Sequence, residues 1–343
     1  MSVFRGLVGL VALLLSSLPA TARSVTDAAG RVVEIPDKVQ RVLAAGPPAS
    51  VLVYVLAPEK LAGWVREPKP EEKAFLLPAV RDLPVFGQLT GKGGTANMEA
   101  VLAARPDIIV DVGTVSATYA SLADKVQAQT GIPYVLIDGT FARSAAMLRE
   151  TGAILGVPER AEALAAYADE KLAALEKSLA AIPAEKRPSV YFGRGAEGLE
   201  TGLSGSINME ILEAAGARNA AAAAGKGGLT QVSLEQVLSW KPDVILASSP
   251  KFAHAIKDDP LWRELDAVKA GRIHVAPALP FGWIDSPPGV NRLIGISWLE
   301  HTLYPEAFPA KLDEDVRTFF KLFYHVELDD AQLAGLIGRD ADR

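Results

Sequence analysis

Residues 97–113 read NMEAVLAARPDIIVDVG, and residues 233–249 read SLEQVLSWKPDVILASS. Laid over one another without a gap, Glu99 faces Glu235, Val101-Leu102 faces Val237-Leu238, and Pro106-Asp107 faces Pro242-Asp243. The offset is 136 residues throughout, roughly one domain length. Apolar residues at 98, 101 and 102, and again at 234, 237 and 238, have the i, i+3, i+4 spacing of a short amphipathic helix. Pro106 and Pro242 stop those helices. Ile108-Ile109-Val110 and Val244-Ile245-Leu246 then run apolar on consecutive positions, as a strand buried on both faces does.

Working outward, each half adds a strand opened by glycine, at Gly131 to Ile137 and at Gly271 to Val275. Helix alternating with strand is the pattern of a parallel α/β sheet. Two copies make two similar lobes; a solenoid needs many more at a short period. The fold class read from the chain is therefore α/β. Its divisions are a leader at 1–22, an N-terminal lobe at 23–143, a linking helical stretch at 144–182 and a C-terminal lobe at 183–343. The linking stretch is rich in Ala, Leu, Glu and Lys, with Leu164, Ala168, Leu172, Leu175 and Leu179 forming a stripe. Gly156-Val157-Pro158 should split it in two. Residues 25–36 read as two short strands around Ala29-Gly30, and 316–326 and 333–337 as closing helices.

The leader sets the compartment. Arg5, the apolar run Gly6 to Leu15 and Ala20-Thr21-Ala22 have the layout of a secretory signal peptide cleaved after Ala22. The run is shorter than the roughly 20 residues a membrane span needs. The expected location is the periplasm. There are no cysteines, which excludes disulfides, thiolate metal sites and cysteine nucleophiles. A net charge of −6 speaks against nucleic acid and against a polybasic membrane surface.

Motifs for catalysis are weak. Gly87 to Gly94 reads GQLTGKGG, but Lys92 is followed by glycine and the spacing is wrong for a phosphate loop. Gly202-Leu203-Ser204-Gly205-Ser206 brings its second glycine one residue too early for a nucleophile elbow; Ser206 is expected to cap a helix over 208–214 instead. His254, His274, His301 and His325 are scattered, with no pair at ligand spacing. No triad or paired-carboxylate arrangement stands out, so no catalytic or metal-ligating residue is assigned and the chain is read as a non-enzyme. A two-lobed periplasmic hydrolase is the alternative from another class.

In open α/β sheets ligands gather at the carboxyl ends of strands. On that rule the first lobe offers Trp64, Arg66, Gln88 and Tyr119, and the second Tyr191, Arg194, Ser249, Trp283 and Asp285. Aromatic rings with one or two arginines suit a flat anionic ligand, by stacking and bidentate pairing. Glu99 and Glu235 lie off their apolar stripes, in the first turn of each helix. There a carboxylate gains about 0.3–1 kcal/mol from the helix dipole. A matched pair could equally be docking points for a partner of the same symmetry.

The ordered set Arg31-Val32-Val33-Glu34-Ile35-Pro36, Arg41-Val42-Leu43, the two repeat copies, and Trp283-Ile284-Asp285-Ser286-Pro287-Pro288 to Asn291-Arg292-Leu293 resembles the substrate-binding proteins of ABC importers for iron-siderophore, haem and cobalamin. The resemblance spans almost the whole of residues 23–343. It implies two Rossmann-like lobes bridged by a long helix, a ligand cleft between them and small hinge motions. It also implies that Glu99 and Glu235 meet arginines on an inner-membrane permease dimer, the receptor itself acting as a monomer. No cofactor is expected. The expected cargo is a metal chelate such as a ferric siderophore, with molybdate or tungstate, haem or cobalamin as alternatives. A sensor feeding a membrane receptor would use the same carboxylates.

Overall fold

The computed structural model describes residues 22–91, 93–308 and 312–338. The proposed leader therefore lies outside the described residues, apart from Ala22. In chain order the chain opens with strands β1 Ala22–Thr26, β2 Val32–Pro36 and β3 Val42–Ala44, then helices α1 Pro47–Leu56, α2 Pro70–Lys73 and α3 Met98–Ala104. Next come β4 Ile108–Gly113, α4 Ala117–Thr130, β5 Tyr134–Asp138, α5 Ser144–Leu155 and α6 Pro158–Ala180. The second half has β6 Ser189–Gly193, β7 Glu200–Gly202, α7 Glu210–Ala214, β8 Arg218–Asn219, β9 Leu229–Gln231, α8 Leu234–Trp240, β10 Val244–Ala247 and α9 Pro250–Asp258. It closes with α10 Asp266–Lys269, β11 Ile273–Val275, α11 Arg292–Leu303, α12 Leu312–Phe319 and α13 Asp330–Leu336. Among the described residues no helix is long and apolar enough to cross a membrane.

The repeat folds the same way twice. Asn97 and Ser233 cap α3 and α8, each accepting a backbone N–H three residues on. Both helices end in the left-handed conformation, at Arg105 (φ 48°) and Lys241 (φ 47°), one residue before the proline expected to stop them. The aspartate after each proline clamps the neighbouring strand. Asp107 Oδ2 accepts the N–H groups of Gln40 and Arg41, at 2.6 and 2.8 Å, and Asp243 Oδ2 accepts that of Ser189 at 2.7 Å. Each clamp feeds a parallel pairing, Val42 beside Ile108 and Val190 beside Val244. Two parallel sheets result, in the orders β3-β4-β5 and β11-β10-β6-β8.

Both faces of each sheet are covered, as a parallel sheet requires. Val42, Ile108, Val110, Val135 and Ile137 of the first sheet and Val190, Phe192, Val244 and Leu246 of the second enter one shared core. Ile109, Tyr134 and Leu136 turn to a smaller core under α3 and α4, and Tyr191, Ile245 and Ala247 to another under α8 and α9. The shared core also takes α1, the α5–α6 pair and the aromatic group Phe319, Phe320, Phe323 and Tyr324. Gly156 caps α5 at φ 72°, and Pro158 restarts the chain as α6. The two helices touch at Gly152, where a Cβ would stand 2.1 Å from that of Ala161. Ser206 is not the cap of α7, which begins later at Glu210; its hydroxyl accepts the Asn208 N–H within the preceding turn.

A buried polar junction crosses between the halves. Arg292, 1% exposed, donates to Gly139 O at 2.6 Å, to Ile207 O at 3.0 Å and to Glu210 Oε2 at 3.2 Å. The same Glu210 oxygen accepts the Phe141 N–H at 2.8 Å. Burial pushes the guanidinium pKa down, and Glu210 opposes that shift.

Candidate functional site

Between the two sheets lies a cavity of about 530 Å³. The ends of β3, β4 and β5 reach it through Pro47-Pro48, Asp111 to Val115, and Leu136-Ile137, and the end of β6 through Arg194. Ile207-Asn208 and Asp285 to Pro288 complete the far wall. Ligand space at strand carboxyl ends is what parallel βα topology provides, because loops and helix N-termini converge there. The start of α1 is one such terminus. Its N-cap Gly46 has no side chain to offer, and Ser50, one turn in, is buried at the cavity with no partner for its hydroxyl among the described residues.

Five charged side chains line this space among the described residues: Arg66, Glu72, Asp111, Arg194 and Asp285. Arg66 Nη1 and Nη2 donate to the two Glu72 oxygens at 2.7 and 2.8 Å, and this pairing raises the arginine pKa. Arg194 Nε stands 2.6 Å from Asp285 Oδ2, and its Nη1 pairs with Glu200. Asp285 also accepts from Asn208 Nδ2 at 3.2 Å and from Ser286 Oγ at 3.1 Å. Burial pushes its carboxyl upward, and these partners pull it back. Asp111 is 6% exposed. Its Oδ1 accepts from Thr90 Oγ1 and its Oδ2 from Tyr134 OH, both at 3.0 Å. Burial outweighs those bonds and leaves its pKa raised.

Of the residues singled out from sequence, Trp64, Arg66, Gln88, Tyr119, Arg194 and Asp285 line the cavity. Trp64 does so with a buried ring whose Nε1 is taken by Val80 O at 2.7 Å. Three do not line it. Tyr191 is buried on the outer face of its strand, its hydroxyl donating to Gly198 O at 2.6 Å and its ring beside Trp240 and Trp262. Strand alternation sends it there, since Val190 and Phe192 take the inner face. Trp283 is 0% exposed and packs on Phe320 with Nε1 bonded to Leu279 O. Ser249 starts α9 and is absent from the cavity wall. Glu99 and Glu235 are exposed in the first turns of α3 and α8. The Ser233 hydroxyl lowers the Glu235 pKa.

A family model described as periplasmic binding protein matches residues 58–279. The chain belongs to the periplasmic binding protein family. Its relatives serve ABC transporters. The molybdate-binding protein MolA of Haemophilus influenzae is 29% identical, over 92% of this chain and 95% of its own. An ABC transporter solute binding protein from Sulfurospirillum deleyianum superposes with a TM-score of 0.83 at 29% identity, covering 92% of this chain and 99% of that one. MolA bound to molybdate superposes with a TM-score of 0.74 at 25% identity, covering 90% and 99%. This periplasmic binding protein thus has the two-lobed α/β fold of ABC-transporter receptors.

Sequence reasoning passed over Asp111, Glu72, Ser50 and Asn208. Asp111 had a signal: an acidic residue inside the apolar run IIVDVG must be paired or face a site. Glu72 had a weaker one, standing among the charged residues of the stretch 66–73.

Proposed function

We propose that this periplasmic binding protein is exported by its leader, captures a metal-bearing anion as a monomer, and hands it to a permease dimer through Glu99 and Glu235. The cargo class favoured is the oxyanion group of molybdate and tungstate. One observation carries this reading. An arginine from each half, Arg66 and Arg194, lines one cavity together with the start of α1. Guanidinium groups and a helix N-terminus are the donors that oxyanions use. The similarity to MolA along nearly the whole chain supports the same class. A metal chelate, such as a ferric siderophore, is the second reading. The observation in its favour is size, because about 530 Å³ falls within the range of roughly 300–1,000 Å³ used by sites for larger organic ligands.

Native mass spectrometry with elemental analysis of protein taken from its own periplasm tests the proposal. Molybdenum or tungsten at one equivalent supports the first reading, and iron with an organic chelator supports the second. A metal-free sugar or amino acid in the cleft overturns both.

A further inference from the structure

The charges that line the cavity do not balance. Arg66 is paired with Glu72, and Arg194 with Asp285 and Glu200. Asp111 is left over. Among the described residues no cation pairs with it; the Thr90 and Tyr134 hydroxyls and the Val112 backbone supply its hydrogen bonds.

The elements packed around it bring no opposite charge either. Tyr134 of β5 has its own pKa pushed far up by burial and by Asp111, and Tyr119 of α4 adds to that rise. Arg31, whose charge acts on Tyr134, is paired with Asp27 and Asp124. From the start of α1 come Pro47, Pro48 and Ser50, and from the loop before α3 come Gln88 and Thr90, all uncharged. Asp111 nevertheless shares its corner with the donors that suit an anion. Gly46, the N-cap of α1, lies so near that a Cβ there would stand 2.8 Å from Thr90 Oγ1. Its carbonyl accepts the N–H of Ser50 at 3.1 Å, and the Ser50 hydroxyl is buried there without a partner.

An anion seated at the start of α1 therefore meets a carboxylate whose charge is unanswered. Like charges at close range in a site shut off from water repel strongly. We propose that Asp111 is a cargo-binding residue that works in its neutral form, taking up one proton from solvent as the anion enters. The proposal rests on the reading of the cargo as an anion. The added proton removes the repulsion and converts an acceptor into a donor. Placed on Oδ1, it is accepted by Thr90, whose own hydroxyl lines the cavity and is freed to donate to the cargo. Tyr134 keeps its bond to Oδ2. Burial already holds the Asp111 pKa above its ordinary value, and a second negative charge nearby moves it the same way.

Calorimetric titration with molybdate, from about pH 5 to about pH 8, tests this. Repeating each titration in two buffers of different ionisation enthalpy counts the protons exchanged. Wild type should take up close to one proton per anion over part of that range. Its affinity should fall there by up to about tenfold per pH unit, the limit for one linked proton. D111N cannot take up the proton, so its profile should be flat. At the alkaline end it should bind about tenfold more tightly than wild type. A thermal melt checks that the variant is folded, and the wild-type proton count judges the proposal without it. A pH slope that survives in D111N would assign the proton to another group and overturn the proposal. Weaker binding by D111N at every pH would make the charged carboxylate a support of the site, and overturns it as well. Molybdate bound with no proton taken up sinks the role of Asp111 and leaves the oxyanion reading standing. No molybdate bound at any pH overturns both.

Discussion

The two copies of the repeat agree wherever the residue builds the fold and part at the strand end that reaches the cleft. Val101 and Val237 are both fully buried, both aspartate clamps hold the adjacent strand, and both helices close in the left-handed conformation. At the next matched position Asp111 of β4 faces Ala247 of β10. Asp111 has Thr90 and Tyr134 to receive it and lines the cavity, whereas Ala247 is sealed in the core under α8 and α9. Within the repeat, structural demands are thus met symmetrically, while the cleft-lining acid at this position comes from one copy alone. Glu99 and Glu235 run against that rule. They are exposed, contribute to neither core, and still match.

Four experiments break or sharpen this comparison. The largest effect is expected at the exposed matched pair. Changing Glu99 and Glu235 together to alanine should reduce uptake in a reconstituted transporter to background, while ligand affinity stays within about threefold because rim charges add little to it. A much larger loss of affinity would place these carboxylates in the ligand site. Next comes a forced symmetry. Ala247→Asp should destabilise the fold by about 3 kcal/mol or more in urea unfolding, since the core there holds no partner for a charge; a smaller loss would mean the second half has its own receptor for an acid. Val101→Ala and Val237→Ala should each cost about 2 kcal/mol through lost burial and the cavity left behind, and unequal costs would break the structural equivalence of the copies.

The smallest effect is expected from Asp111→Asn, read as stability against pH. The folded-state pKa of Asp111 is raised, so the native protein takes up this proton before the unfolded chain does. Stability from this group therefore rises as pH falls from the folded-state value toward the ordinary carboxylate range, and the buried charge is a cost above it. The variant should lose that rise and melt slightly higher at neutral pH. A wild-type profile flat through that window would show that Thr90 and Tyr134 satisfy the charge fully.

The repeat made the two sheets legible because consecutive apolar residues after a proline have few alternatives to a doubly covered strand. The break at Gly156-Pro158 was legible for a similar reason: a left-handed cap followed by a residue fit for a helix start leaves one outcome. The site was legible only in part. Arg194 could be named from its place after β6, and Arg66 as a loop residue near an aromatic one. Their partners could not, since Asp285 stands 91 residues from Arg194 in sequence and meets it through the fold. Tyr191 and Trp283 were misplaced because ring size says nothing about direction. Tyr191 lies within a strand of a sheet covered on both sides, where an aromatic ring is directed to a core on either face, and Trp283 lies in the loop before α11 and turns its ring onto Phe320.

The Arg292 junction has a mechanical consequence. With Gly139 and Phe141 of one half tied to Arg292 and Glu210 of the other, the halves are stitched together by buried hydrogen bonds next to Ile207 of the cavity wall, whose carbonyl Arg292 also holds. Parting the halves at this point would strip a buried guanidinium of its partners, so the junction resists separation there.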